Sequence, residues 1–343
     1  MRAAVIRGHG GPEVVDYCEV PTPEPGPGEV RLRVRATALN HLDLWVRRGL
    51  PGVPPAFPHV GGCDIAGTID ACGPDVADWQ VGDPVVVNPQ LSCGRCRYCL
   101  RGQDNLCLRF AIVGEHTWGG MAEYVVVPAR NLERIPEGFS FEEAAACALV
   151  FPTAWRMLMT GARIQPGETV LVLGAGGGVN TAAIQIAKLM GCQVWVTAST
   201  EEKMRRAYEL GADWVLLHRD PDWSQRVWER TGKLGVDVVV DNVGRATWAQ
   251  ALRLLGREGR LVTVGATTGA LAETDIRLVF WRQLRIIGST MANRAEFMDV
   301  FRLIWRRQLR AVIDRVLPLE AAREAHALLE RGEQFGKIVL RLP

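Results

Sequence analysis

"GETVLVLGAGGGVNTAAIQIAKLMGCQVWVTAST", residues 167–200, reads as a buried strand, a glycine turn, an amphipathic helix and a second buried strand. That order is one βαβ unit. Gly174, Gly176, Gly177 and Gly178 follow the first strand directly, with Val179 next. A tight turn there lets the backbone approach a pyrophosphate at the positive end of the helix. A lone glycine motif is weak, but two more strand-and-turn stretches follow, "GVDVVVDNVG" (235–244) and "GRLVTVGATTG" (259–269). They extend the same sheet and add Asn242 and Gly265 to the cofactor-binding set. Counting Gly174, Gly177 and three on, the last glycine of the fingerprint is replaced by Asn180, which predicts slightly wider packing of helix on strand.

The choice between dinucleotides falls at the end of the second strand, where an acidic residue would accept from the ribose 2′-hydroxyl of NAD. Here the chain reads "VTASTEEK", with Ala198 at that place and Ser199, Thr200 and Lys203 able to donate to a 2′-phosphate. NADP(H) is favoured, and Glu201 and Glu202 keep NAD(H) open.

A chain of 343 residues exceeds the usual size of one hydrophobic core, so two domains are expected. A net charge of +2 gives no reason to expect a nucleic-acid or acidic-membrane partner, leaving a small-molecule substrate. The longest apolar run, "AAACALVF" (144–151), is too short to span a bilayer, and "MRAAVIRGHGG" lacks the order of a signal peptide. A cytoplasmic location is expected.

Nine cysteines, four of them within "LSCGRCRYCLRGQDNLC" (91–107), suggest metal ligation in a reducing compartment. Cys93, Cys96, Cys99 and Cys107, with spacers of two, two and seven residues, can wrap four thiolates around one tetrahedral ion. Zinc suits this best. A four-iron cluster ranks below it, because its common cysteine run closes with a three-residue spacer and a proline. Four thiolates fill the ion's coordination, so this zinc is structural.

A cysteine lobe ahead of a dinucleotide unit, with a further segment after it, resembles the medium-chain dehydrogenase/reductase superfamily, in its zinc-containing alcohol dehydrogenase and quinone reductase branch. The resemblance is carried by "PGPGEVRLRVRATALNHLDLWVRRG" (25–49), "GGCDIAGTIDACGPDV" (61–76), the cysteines of 93–107, "GGMAEYVVVP" (119–128) and "GKIVL" (336–340). It implies an α/β plus β fold: a GroES-like β-barrel catalytic domain, residues 1–150 and 290–343 with the zinc lobe at 91–108, and an inserted Rossmann domain, a doubly wound parallel sheet, over 151–289. It also implies a homodimer or homotetramer, since "LRIIGSTM" (284–291) resembles the strand that pairs between subunits. For Trp281 and Trp305 a core role is the ordinary expectation.

Against this family the catalytic zinc site is altered throughout. Its first ligand, a cysteine, matches Asn40; the proton-relaying hydroxyl matches Leu42; the Gly-His-Glu stretch becomes Gly62, Cys63, Asp64; and the third ligand, four residues before Thr153, falls on Leu149. A catalytic zinc needs three protein ligands and an open place. An unusual site drawn from His41, Cys63, Asp64 and either His59 or His116 is the alternative, with His59 read more readily as a surface histidine beside Pro58. Asn40 and Asp43, with an aromatic at Trp45, match the zinc-free quinone reductases, although Trp45 cannot donate the hydroxyl proton of their tyrosine and serves as a pocket wall. Hydride transfer without zinc suits a quinone or enone, which carries its own electron sink, with His41, His116 or solvent as proton source. Three readings follow: a zinc-structured NADP(H)-dependent reductase of conjugated carbonyls, an alcohol dehydrogenase with a rearranged catalytic zinc, and a non-enzymatic NADPH-binding sensor or stress protein.

Overall fold

Val30, Leu32, Val34 and Ala36 alternate with Arg31, Arg33 and Arg35, so the strand Glu29–Ala38 turns one side into the core and the other toward solvent. In the computed structural model, which describes residues 1–50, 52 and 56–343, this strand is the hub of a mixed sheet. Asp64–Cys72 lies antiparallel on one side, followed by Pro84–Val87 and Leu132–Arg134. Its other side is shared by Tyr124–Pro128 and Lys337–Arg341, both antiparallel to it, and Ile313–Pro318 then runs parallel to the latter. A second, small sheet joins Val15–Glu19, Arg2–Ile6 and His59–Val60.

Register does the positioning. Ala38 stands opposite Asp64 on one side and opposite Val339 on the other. The strand therefore delivers Leu39 and Asn40 between the start of Asp64–Cys72 and the start of the last strand, which carries Lys337. The helix His41–Arg48 begins at once, because Asp43 accepts a hydrogen bond from the Asn40 backbone N–H and so caps its first turn.

The second unit contains six strands, all parallel, in the order Trp214–Leu217, Gln193–Ala198, Thr169–Leu173, Val236–Val240, Leu255–Thr263, Arg285–Gly288. Buried valines and leucines at 170–173 and 238–240, and Val194, Trp195 and Val196, explain the near-continuous apolar reading of these strands. The chain divides as Met1–Leu149 with Asn293–Pro343, and Val150–Ala292. Among the described residues no helix is long and apolar enough to cross a membrane.

Two expectations need correction. Trp281 is 69 % exposed rather than core, whereas Trp305 packs against Phe139 and Phe301. His59 is not a surface residue: it is buried, with Nε2 2.9 Å from the Gly114 carbonyl oxygen.

Candidate active site and metal lobe

Asn40, Cys63 and Asp64 come together in the first unit with a residue the sequence did not flag. The Lys337 ammonium lies 2.8 Å from Asp64 Oδ2, and donates to Asn40 Oδ1 at 2.5 Å and to the Leu39 carbonyl at 2.6 Å. All three of its N–H donors are thus used. Lysine can only donate, so the Asn40 oxygen faces it and the amide nitrogen faces the other way, 2.9 Å from Asp64 Oδ2 and 3.2 Å from Cys63 Sγ. Asp64 Oδ1 accepts from the backbone N–H of Leu149 at 2.8 Å. The residue at the family's third ligand position therefore contributes a backbone donor, and no ligand atom. Lys337, Asp64 and Cys63 are buried to within 3 % of full burial. Burial, reinforced by the Asp64 charge, pushes the Cys63 thiol well up, which keeps it protonated.

Around this core the other singled-out residues take different places. Asp43 is buried; its Oδ2 accepts from Asn40 N at 2.7 Å and its Oδ1 from Gly62 N at 2.9 Å, tying the helix start to the Gly61–Cys63 segment. Burial raises its carboxyl to about 6 even against those two hydrogen bonds. His41 stands edge-on to Trp45, ring centroids 5.9 Å apart, and burial lowers its pKa. His116 Nδ1 accepts from Ile112 N at 3.2 Å, which leaves the ring proton on Nε2, and burial lowers this histidine too. Thr153 is buried in the helix Val150–Trp155 of the second unit. Cys147, also buried, is held well up by burial and by Asp64 and has the character of core.

The loop Gly114–Gly120 crosses directly over this segment. Gly119 N donates to Val60 O and Gly120 N to Gly62 O, both at 2.8 Å, and a Cβ at Gly119 would lie 2.2 Å from the Gly62 oxygen, so only glycine permits the approach. Glu115 rides on this loop, buried, and burial raises its carboxyl to about 7, with Asp43 adding to the shift.

The four lobe cysteines have their sulfurs all within 4.8 Å of one another. Individual separations are 3.5 Å for Cys96–Cys99 and 4.0 Å for Cys93–Cys99 and Cys96–Cys107. A tetrahedral zinc with Zn–S bonds of about 2.3 Å requires sulfurs roughly 3.8 Å apart, so the residues fit the ion. Backbone N–H groups, that of Cys99 first, hold the Cys96 thiol down to about 6, and Cys107 Sγ accepts from Cys93 N and Arg109 N at 3.2 Å each. Among the described residues this is the one cluster of histidine, cysteine and carboxylate side chains spaced to hold a metal.

In the second unit Gly174 has φ +91°, a conformation costly for any residue with a Cβ, and donates its N–H to Thr197 Oγ1 at 3.0 Å. A Cβ at Gly177 would meet only Asn180, so the turn at the start of the helix Gly178–Leu189 keeps open space for a phosphate. Asn180 does more than substitute for a glycine. Its amide nitrogen donates to the Leu173 and Gly174 carbonyls at 2.8 and 2.5 Å, and its oxygen accepts from Asn242 at 2.8 Å. The replaced glycine thus becomes a clamp between two strand ends. Thr200 caps the helix Glu201–Glu209, accepting from Lys203 N. His218 N donates to Ala198 O, and Arg219 reaches Glu201 at 3.7 Å, a cation near the strand end that the sequence reading missed.

Residues 26–137 match the alcohol dehydrogenase GroES-like domain family and residues 178–306 the zinc-binding dehydrogenase family. An alcohol dehydrogenase of Geobacillus stearothermophilus is 33 % identical over the full length of both chains. Human quinone oxidoreductase is 29 % identical over 100 % of this chain and 98 % of its own. The crystal structure of an NAD-dependent alcohol dehydrogenase superposes with a TM-score of 0.96 at 49 % identity, covering all of both chains. With a mostly antiparallel GroES-like unit, a parallel Rossmann-type sheet and these likenesses along its whole length, the chain belongs to the zinc-type alcohol dehydrogenase and quinone oxidoreductase branch of the medium-chain dehydrogenase/reductase superfamily and is an oxidoreductase.

Proposed function

We propose that this enzyme is an NADP(H)-preferring reductase of conjugated acceptors, quinones or activated alkenes, with one structural zinc in the cysteine lobe and no catalytic zinc. The observation that carries the reading is the Lys337–Asn40–Asp64 network. Asn40 Oδ1 and Asp64 Oδ2 are both held by the ammonium, and Asp64 Oδ1 by Leu149 N. A divalent ion at this place would meet a fixed positive charge and a protonated thiol. A simple ketone needs an electrophile at its oxygen; a quinone or enone delocalises the incoming charge over its own conjugated system. A reduced nicotinamide supplies the hydride. The chain's share is to hold the dinucleotide on the Gly174–Gly178 turn, with the buried Lys337–Asn40–Asp64 network standing where a catalytic ion would otherwise be held.

For the 2′-phosphate, Ala198 removes the competing carboxylate, and Ser199, Thr200, Lys203 and Arg219 supply donors on that side. The solved relative named as NAD-dependent argues the other way, and the ratio of NADPH to NADH dissociation constants decides. The reading predicts a ratio below one, rising at least tenfold in R219E. Partners are a small-molecule acceptor and a second copy of this chain. The strand Arg285–Gly288 is the edge of its sheet, and Phe280, Trp281 and Ile286 are exposed beside it. Nine cysteines, none of them in a disulfide, suit a reducing, cytoplasmic setting.

The test is turnover of benzoquinone and cyclohexenone with NADPH, before and after chelation mild enough to spare the lobe. Retained rates support the reductase. Oxidation of simple alcohols that is lost on chelation and in C63A supports the rearranged-zinc alcohol dehydrogenase instead.

A further inference from the structure

Glu115 is a buried acid without a job in the fold. Among the described residues its carboxyl accepts no hydrogen bond; His116 Nδ1 stands 3.6 Å from it, and that atom already accepts from Ile112 N. Buried carboxylates ordinarily carry a cation or several N–H donors, as Asp43 and Asp64 do here. A buried acid left without them is held in its neutral form, and such groups collect at sites of proton transfer.

Its placement is specific. Glu115 directly follows Gly114, where a Cβ would come within 3.0 Å of Cys63 N, and Gly114 O is fixed by His59. The charged and titratable groups around it are Asp43 of the helix His41–Arg48, His116 on its own loop and His59 beneath Gly114. None is a cation near neutral pH, since burial lowers both histidines.

We propose that Glu115 is the proton donor of the reduction, a role that rests on the conjugated-acceptor reading above. The β-carbon of an enone receives the hydride pair and the double-bond electrons move toward the carbonyl. The α-carbon then takes the proton from the Glu115 carboxyl, giving the saturated ketone, the oxidised dinucleotide and a Glu115 carboxylate. Water restores the proton. The carboxyl supplies it in neutral form without a metal, which answers what replaces the missing hydroxyl relay at Leu42.

The test is the pH profile of kcat for cyclohexenone reduction in wild type, E115Q and E115D, with NADPH dissociation constants measured on each protein as a folding control. Expected are a wild-type profile that falls above about pH 7, a drop in kcat of about 100-fold in E115Q with the limb abolished, partial rescue with the limb retained in E115D, and unchanged NADPH affinity throughout. Turnover whose profile is the same in E115Q overturns the proton donor and leaves the reductase standing. Absence of enone and quinone turnover in wild type overturns the reductase reading and the donor with it. Infrared difference titration of the wild-type carboxyl, lost in E115Q, is an independent readout: a midpoint in the ordinary carboxylate range overturns the proposal.

Discussion

Lys337 and Asp64 are each other's counter-charge in a place closed to water. Removing one partner of a buried pair strands the other, which costs about 3–5 kcal/mol. K337M should lower unfolding stability by that amount in urea titrations, and K337M combined with D64N should lose less than K337M alone. Equal stability of K337M and wild type would contradict the network. Glu115 gives a pH signature of its own. Its folded pKa, about 7 against 4.5 for an ordinary glutamate, means that the native state holds the proton more tightly. Its contribution to stability is therefore full below about pH 4.5 and lost as the pH rises through 7. The melting temperature of E115Q relative to wild type should accordingly rise between pH 6 and pH 8.5; a constant difference would argue that the carboxyl is ionised throughout. At this scale Asn40, Cys63 and Asp64 were legible in the sequence, as an altered ligand set. Lys337 was not, because it joins Asn40 from 297 positions away through strand register, and its only local signal was a lysine opening an apolar strand, "GKIVL".

At the scale of elements, the glycine turn and the cysteine lobe are both loops held by something other than a large core. Asn180 supplies hydrogen bonds to two carbonyls and to Asn242, so N180A leaves buried groups unpaired and should cost about 1–3 kcal/mol. N180G, which restores the fingerprint glycine, should lose at least as much; a gain in thermal stability would mean that the clamp is dispensable. The expectation of wider packing treated Asn180 as a missing glycine, because composition alone cannot reveal where a side-chain amide points. The βαβ unit itself was legible because its strand, turn and helix are consecutive. The antiparallel sheet was not, because Glu29–Ala38 draws partners from residues 64–72, 124–128 and 337–341, and only the family resemblance anticipated it.

For the whole molecule, the proposed self-association would use the edge beside Phe280, 64 % exposed, Trp281 and Ile286, extending one sheet into another. F280E with W281E should shift the sedimentation profile to monomer; an unchanged profile would place self-association elsewhere. The central claim is that metal is confined to the lobe while a lysine stands in the family's catalytic metal site. It is tested most directly by zinc per chain, measured by elemental mass spectrometry on protein purified without added metal, in wild type and in the variant with Cys63→Ala and Asp64→Ala. The account predicts one zinc per chain in both; two in wild type falling to one in the variant would contradict it.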